Sequence, residues 1–125
     1  MIKAEIRDDG LRARFQALSE EEARQVIYEI IDSFLEWLCA TFGANTDPKA
    51  LHKQMAEKRQ HLRESSRRIF QRLEDPLSRN EYQWTPQPLR LYVKREDRGF
   101  QIIVVSNSYT PGWDDVRPWI PDKYK

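Results

Sequence analysis

At the amino terminus Ile2, Ala4 and Ile6 alternate with Lys3, Glu5 and Arg7, the period of two that a strand with one buried face requires. Asp8-Asp9-Gly10 closes that strand as a turn. Leu11, Phe15 and Leu18 recur at helical spacing and predict a short helical turn before a much stronger signal. Ser19 is a good N-cap, Glu20, Glu21 and Glu22 place negative charge where the helix dipole favours it, and Glu22 completes a capping box with Ser19. The helix is expected to run to Phe42 and to stop at Gly43 in a left-handed cap. Its apolar residues, from Val26 through Ile30, Ile31, Phe34 and Leu35 to Phe42, fill about half of the helical circle. An arc that wide implies cover from two directions, by a sheet and by another helix or a neighbouring subunit.

Asp47-Pro48 opens a second helix, because proline in the first turn lacks only an N–H that would have no partner. It should continue to about Leu73 and end before Asp75-Pro76. Leu51, Met55, Leu62, Ile69 and Leu73 form a stripe only about 40° wide, with Phe70 beside it, so this helix is expected on the outside of the domain. Residues 74–88, with Pro76, Pro86 and Pro88, read as an irregular connection. Leu89, Leu91 and Val93 then alternate with Arg90, Tyr92 and Lys94, and Phe100 to Val105 follows after Glu96-Asp97-Arg98-Gly99, which predicts a hairpin with a four-residue loop. The second of these strands is apolar on both faces and belongs in the middle of the sheet. The order predicts an α+β domain over residues 1–108: a three- to four-stranded antiparallel or mixed sheet covered on one face by the first helix. Residues 109–125 read as an extended proline and aromatic arm.

A chain of 125 residues and 15.0 kDa suffices for one core. No apolar run approaches the roughly 20 residues a bilayer needs, and the amino terminus lacks a signal peptide's apolar stretch, so a soluble, cytoplasmic protein is expected. One cysteine, Cys39, cannot make an internal disulfide. The net charge of +1 conceals segregation: residues 1–48 carry 5 basic and 10 acidic groups, residues 49–73 carry 8 and 2, and residues 74–125 carry 8 and 8. On the second helix Lys49, Lys53, Arg59, Arg63 and Arg67 share about a third of the circle. Such a ridge could follow a phosphate backbone, meet the acidic side of the first helix, or meet an acidic partner.

Catalytic chemistry has little to build on. His52 and His61 lie on opposite sides of one helix and cannot share a metal, so no metal site and no cofactor are expected. Ser65, Ser66, Ser106, Ser108 and Cys39 sit in no nucleophile elbow or phosphate loop, and Asp114-Asp115 are successive loop residues. No catalytic residue is assigned and the chain is read as a non-enzyme. Tyr109, Trp113, Arg117, Trp119 and Tyr124 of the arm are the candidate partner-binding residues, because large rings bury much area at little entropic cost. The alternative is that the arm folds back over its own sheet.

Met1-Ile2-Lys3-Ala4-Glu5-Ile6, then Gly10-Leu11, Phe15, Leu18, long helices, a late hairpin and Arg117-Pro118-Trp119-Ile120-Pro121 resemble the tail-completion and minor tail proteins of tailed bacteriophages. The resemblance implies a non-enzymatic virion component, a ring-forming subunit at the head–tail junction or tail end, with other protein subunits as partners. The order of elements also resembles small ribosome-dependent messenger-RNA endonuclease toxins, in which Arg90, Tyr92, Lys94 and Arg98 would furnish the basic and aromatic chemistry. A basic-helix RNA-binding protein and a small adaptor or inhibitor of a larger protein are the other readings.

Overall fold

The computed structural model describes residues 1–75, 77, 80–108 and 113–125. The chain forms β1 (Glu5–Ile6), β2 (Arg12–Leu18), α1 (Glu20–Phe42), α2 (Pro48–Glu74), β3 (Glu81–Trp84), β4 (Leu89–Glu96) and β5 (Gly99–Ser106), followed by short 3₁₀ turns at Arg117–Trp119 and Asp122–Tyr124. The strands make one antiparallel sheet in the order β1-β2-β5-β4-β3. The α+β class holds, with five strands instead of three or four. β5 is central, as its two apolar faces require.

Both extra strands arise where periodicity misleads. Residues 12–18 are a strand and not a helical turn. The register slips between Phe15 and Leu18, and Ala17 takes a φ of 55°. That irregularity brings Leu18, three residues on, to the same face as Phe15, so a bulged strand imitates helical spacing. Within the segment read as irregular, Glu81–Trp84 pairs with β4, and the Trp84 indole N–H donates to Ser65 Oγ on α2 at 2.9 Å.

Ser19 caps α1 through the expected reciprocal pair: its Oγ accepts from the Glu22 amide at 3.1 Å, and the Glu22 carboxylate accepts from the Ser19 amide at 2.9 Å. Those bonds, the backbone one first, hold the Glu22 carboxyl below its usual range. Gly43 ends the helix in right-handed geometry, φ −86°, contrary to the left-handed cap expected. A Cβ there would come within 2.5 Å of the Cys39 carbonyl oxygen and 2.7 Å of Leu51 Cδ2, so glycine serves the tight turn off the helix end beside α2. Asp47 caps α2, accepting from the Ala50 amide at 3.1 Å, and the helix ends at Glu74. In the hairpin, Glu96 pairs with Gly99 around an Asp97-Arg98 tip, tighter than the four-residue loop expected. Gly99 has φ +105°, and a Cβ on it would run into the Leu18 carbonyl oxygen of β2.

One face of the sheet is buried. Ala13, Phe15, Leu18, Leu89, Leu91, Val93, Ile102 and Val104 pack under Val26, Ile27, Ile30, Ile31, Phe34 and Leu35 of α1 and Leu62, Ile69, Phe70 and Leu73 of α2. The second helix thus covers part of the sheet with its carboxyl-terminal half, while Leu51 and Met55 near its start are only half-buried. Arg95 reaches from the sheet to donate to the Leu73 carbonyl at the end of α2.

Candidate functional site

The basic ridge of α2 divides where α1 passes beneath it. Arg59 Nε lies 3.1 Å and Arg63 Nη2 3.0 Å from the Asp32 carboxylate of α1. Arg67 donates to the Tyr28 hydroxyl at 3.4 Å, which raises its pKa further above an already high value. Three of the five cations therefore engage the first helix, and Lys49 and Lys53 stand exposed nearer the amino end. No continuous row of free charge runs along this helix.

The described part of the arm, residues 113–125, lies on its own molecule, on α1 and along the β1–β2 edge, and not across the open sheet face. Tyr109 falls outside the described residues. Trp119 and Tyr124 are buried. The Trp119 ring meets Phe34 at 5.3 Å and Trp37 at 5.5 Å between centroids, and Tyr124 meets Phe15 edge-on at 5.5 Å. Main-chain bonds close the arm onto the first strands: the Val116 amide donates to the Gly10 carbonyl and the Ala4 amide to the Tyr124 carbonyl, both at 2.7 Å. Gly10, at φ +71°, admits the Asp115–Arg117 pair, which a Cβ would strike.

Glu29 of α1 ties down the end of the arm by accepting from the Lys123 ammonium and the Tyr124 hydroxyl. Burial pushes its carboxyl up, but the bonds from Lys123, Tyr124 and Gln25 outweigh it and hold the pKa below its usual range. The Tyr124 phenol moves far the other way, through burial and the neighbouring Glu29 charge. Arg117 is exposed and bonds Asp115 through Nε and Nη2 at 3.0 and 2.6 Å, which lowers the Asp115 pKa. Among the described candidate residues of the arm, Trp113 is half-buried and Arg117 exposed.

Two open surfaces stand out among the described residues. Between the carboxyl end of α1 and the first turns of α2, a groove of about 570 Å³ is lined by Leu35, Cys39, Ala40, Pro48, Leu51 and Met55, with Glu36, His52 and Arg59 around it. At the carboxyl end of α1, Phe42 is 51% exposed and meets Trp113 at a tilt, 4.9 Å between centroids, while Trp37 meets Trp113 at 5.2 Å. The sequence pattern shows this groove only as the thinning of the α2 stripe before Leu62.

The other open surface is the outward face of the sheet. Register places Arg12, Val105 and Arg90 in one row across β2, β5 and β4, and Arg14, Ile103, Tyr92 and Gln83 in the next. Arg90, Tyr92 and Lys94 thus share a face, as the hairpin alternation implies, and β5 brings Arg12 and Arg14 beside them. Arg98 sits apart at the hairpin tip.

Of the candidate nucleophiles, Ser65 accepts from Trp84 and Ser66 donates to the Arg63 carbonyl at 2.8 Å, whereas Ser106 Oγ is buried without a hydrogen-bond partner. His52 and His61 are exposed, and among the described residues no three His, Cys, Asp or Glu side chains group to hold a metal. No helix among these residues is long and apolar enough to cross a membrane. Searches with this chain find no matching family model, no matching curated protein and no matching solved structure.

Proposed function

We propose that this chain is a non-enzymatic assembly subunit that docks against further copies of itself, in the manner of the tail-completion and head–tail joining proteins it resembles. The observation that carries this reading is the groove between the carboxyl end of α1 and the first turns of α2. Its apolar walls are Leu35, Cys39, Ala40, Pro48, Leu51 and Met55. Contiguous apolar surface of this kind gains free energy when another protein covers it. Leu51 and Met55 belong to the α2 stripe that α1 covers fully only from Leu62 onward, so the first turns of α2 offer half-paid burial to a neighbour.

The arm supports the same reading in a different way. It packs on α1, with Trp113 against Trp37 and Phe42, and adds exposed aromatic surface at the carboxyl end of that helix. Light scattering after size exclusion, across about 1 to 100 μM, should give a discrete oligomer whose mass rises with concentration to a plateau. Leu51→Glu with Met55→Glu should return it to monomer while leaving the circular-dichroism spectrum unchanged. A monomer throughout that range, or an oligomer indifferent to both glutamates, refutes the proposal.

A further inference from the structure

The outward face of the sheet carries an inference beyond docking between copies. Three of its cations have no acidic partner. Arg14 bonds Glu5 at 2.7 Å, whereas Arg12, Arg90 and Lys94 form no ion pair among the described residues. Arg12 and Arg90 flank Val105 in one row, two inter-strand spacings or about 10 Å apart. Arg90 Nε is buried without a hydrogen-bond partner, and its guanidinium lies 5.3 Å from the centroid of the Tyr92 ring. Tyr92 stands in the middle row, between Ile103 and Gln83. Of the carboxylates on this face, Glu5 bonds Arg14, Glu81 on the edge strand β3 stands across from Lys94 in register without forming an ion pair with it, and Glu96 lies at the hairpin tip.

We propose that this face binds single-stranded nucleic acid, with Tyr92 and the Arg90 guanidinium as the stacking surface for a base and Arg12, Arg90 and Lys94 as contacts to phosphate. Charge complementarity selects a polyanion. The central ring selects a single strand, because stacking needs a base face that a duplex conceals. An acidic protein surface would answer the cations but would have no need of the ring.

Fluorescence anisotropy of the full chain with labelled oligo(dT) and oligo(U) of about 12 nucleotides, and with a duplex of the same length, tests this. Three phosphate contacts predict a log–log salt slope near −2 for a single strand, so affinity should fall about 20-fold between about 50 and 200 mM salt. Arg12→Ala and Arg90→Ala should each flatten the slope by about 0.7. Tyr92→Ala, and Tyr92→Leu as a bulk-preserving variant, should weaken binding about 5- to 100-fold, while Tyr92→Phe binds like the parent. Lys49→Ala with Lys53→Ala on α2 should change nothing. Preference for oligo(U) identifies the ligand as RNA and preference for oligo(dT) as DNA, and either supports the proposal. It is overturned if neither strand binds at low salt, if the duplex binds as tightly, if Tyr92→Leu retains full affinity, or if the α2 lysines account for the binding.

Discussion

Replacing Trp119 by alanine asks whether the arm belongs to the core. The indole is completely buried, wedged at near right angles against Phe34 and Trp37, with interplanar angles of 89° and 70°. Truncating a buried tryptophan to alanine costs about 3 to 5 kcal/mol. The two edge-to-face contacts, each worth about 0.5 to 1.5 kcal/mol beyond the area they bury, place this site in the upper half of that range. We therefore expect a loss of about 4 kcal/mol, which at about 4 °C per kcal/mol for a domain of this size lowers Tm by about 15 °C. Trp119→Phe should cost far less, about 1 kcal/mol, because it removes an indole N–H that has no partner along with the lost contact. Trp113→Ala, at the half-exposed pole, should also cost about 1 kcal/mol. Urea titration followed by far-ultraviolet circular dichroism gives all three values. If Trp119→Ala unfolds within about 1 kcal/mol of the parent, the arm is not part of the cooperative unit and its placement on α1 is wrong.

The clasp of Glu29 on Lys123 and Tyr124 should show an acid and an alkaline limit. The carboxyl's depressed pKa makes its contribution full above the usual carboxylate range and lost as pH falls through the folded value. The raised phenol contributes fully below about pH 10, the ordinary tyrosine value, and its share is lost at higher pH. Glu29→Gln should flatten the acid limb of stability measured against pH, and an unchanged limb contradicts the clasp. Gly99→Ala should cost more than about 2 kcal/mol by the same urea assay, since it adds left-handed strain to a collision with the Leu18 backbone. A neutral result would show that β2 and the hairpin do not approach so closely.

What the sequence disclosed depended on whether local pattern and tertiary role coincided. Ser19 and Glu22 announced the start of α1 because a capping box is wholly local, and β5 declared its central place through two apolar faces. β2 was hidden because the bulge at Ala17 changed its period, and β3 because only Trp84 of its four residues is fully buried. The cations of α2 showed as a row on the helical wheel, but nothing local revealed that Asp32, some 30 residues earlier, would meet two of them. Likewise, Arg90, Tyr92 and Lys94 could be set on one face from the hairpin alone. That Arg12 stands across Val105 from Arg90 follows only from the pairing of β2 with β5.

That pairing also dictates a sequence of events. The central strand is the last to be synthesised, and it joins Arg12–Leu18 to Leu89–Glu96 across a gap that the whole helical pair occupies. A nascent chain can build the α1–α2 hairpin early from neighbouring residues, yet β2, paired with β1 along one edge, must wait with its other edge unsatisfied until Ser106 has emerged. Closing so long a loop is slow compared with helix formation. The Arg and Glu side chains along β1 and β2 would then serve a second purpose, keeping the waiting strands from pairing with those of another unfinished chain.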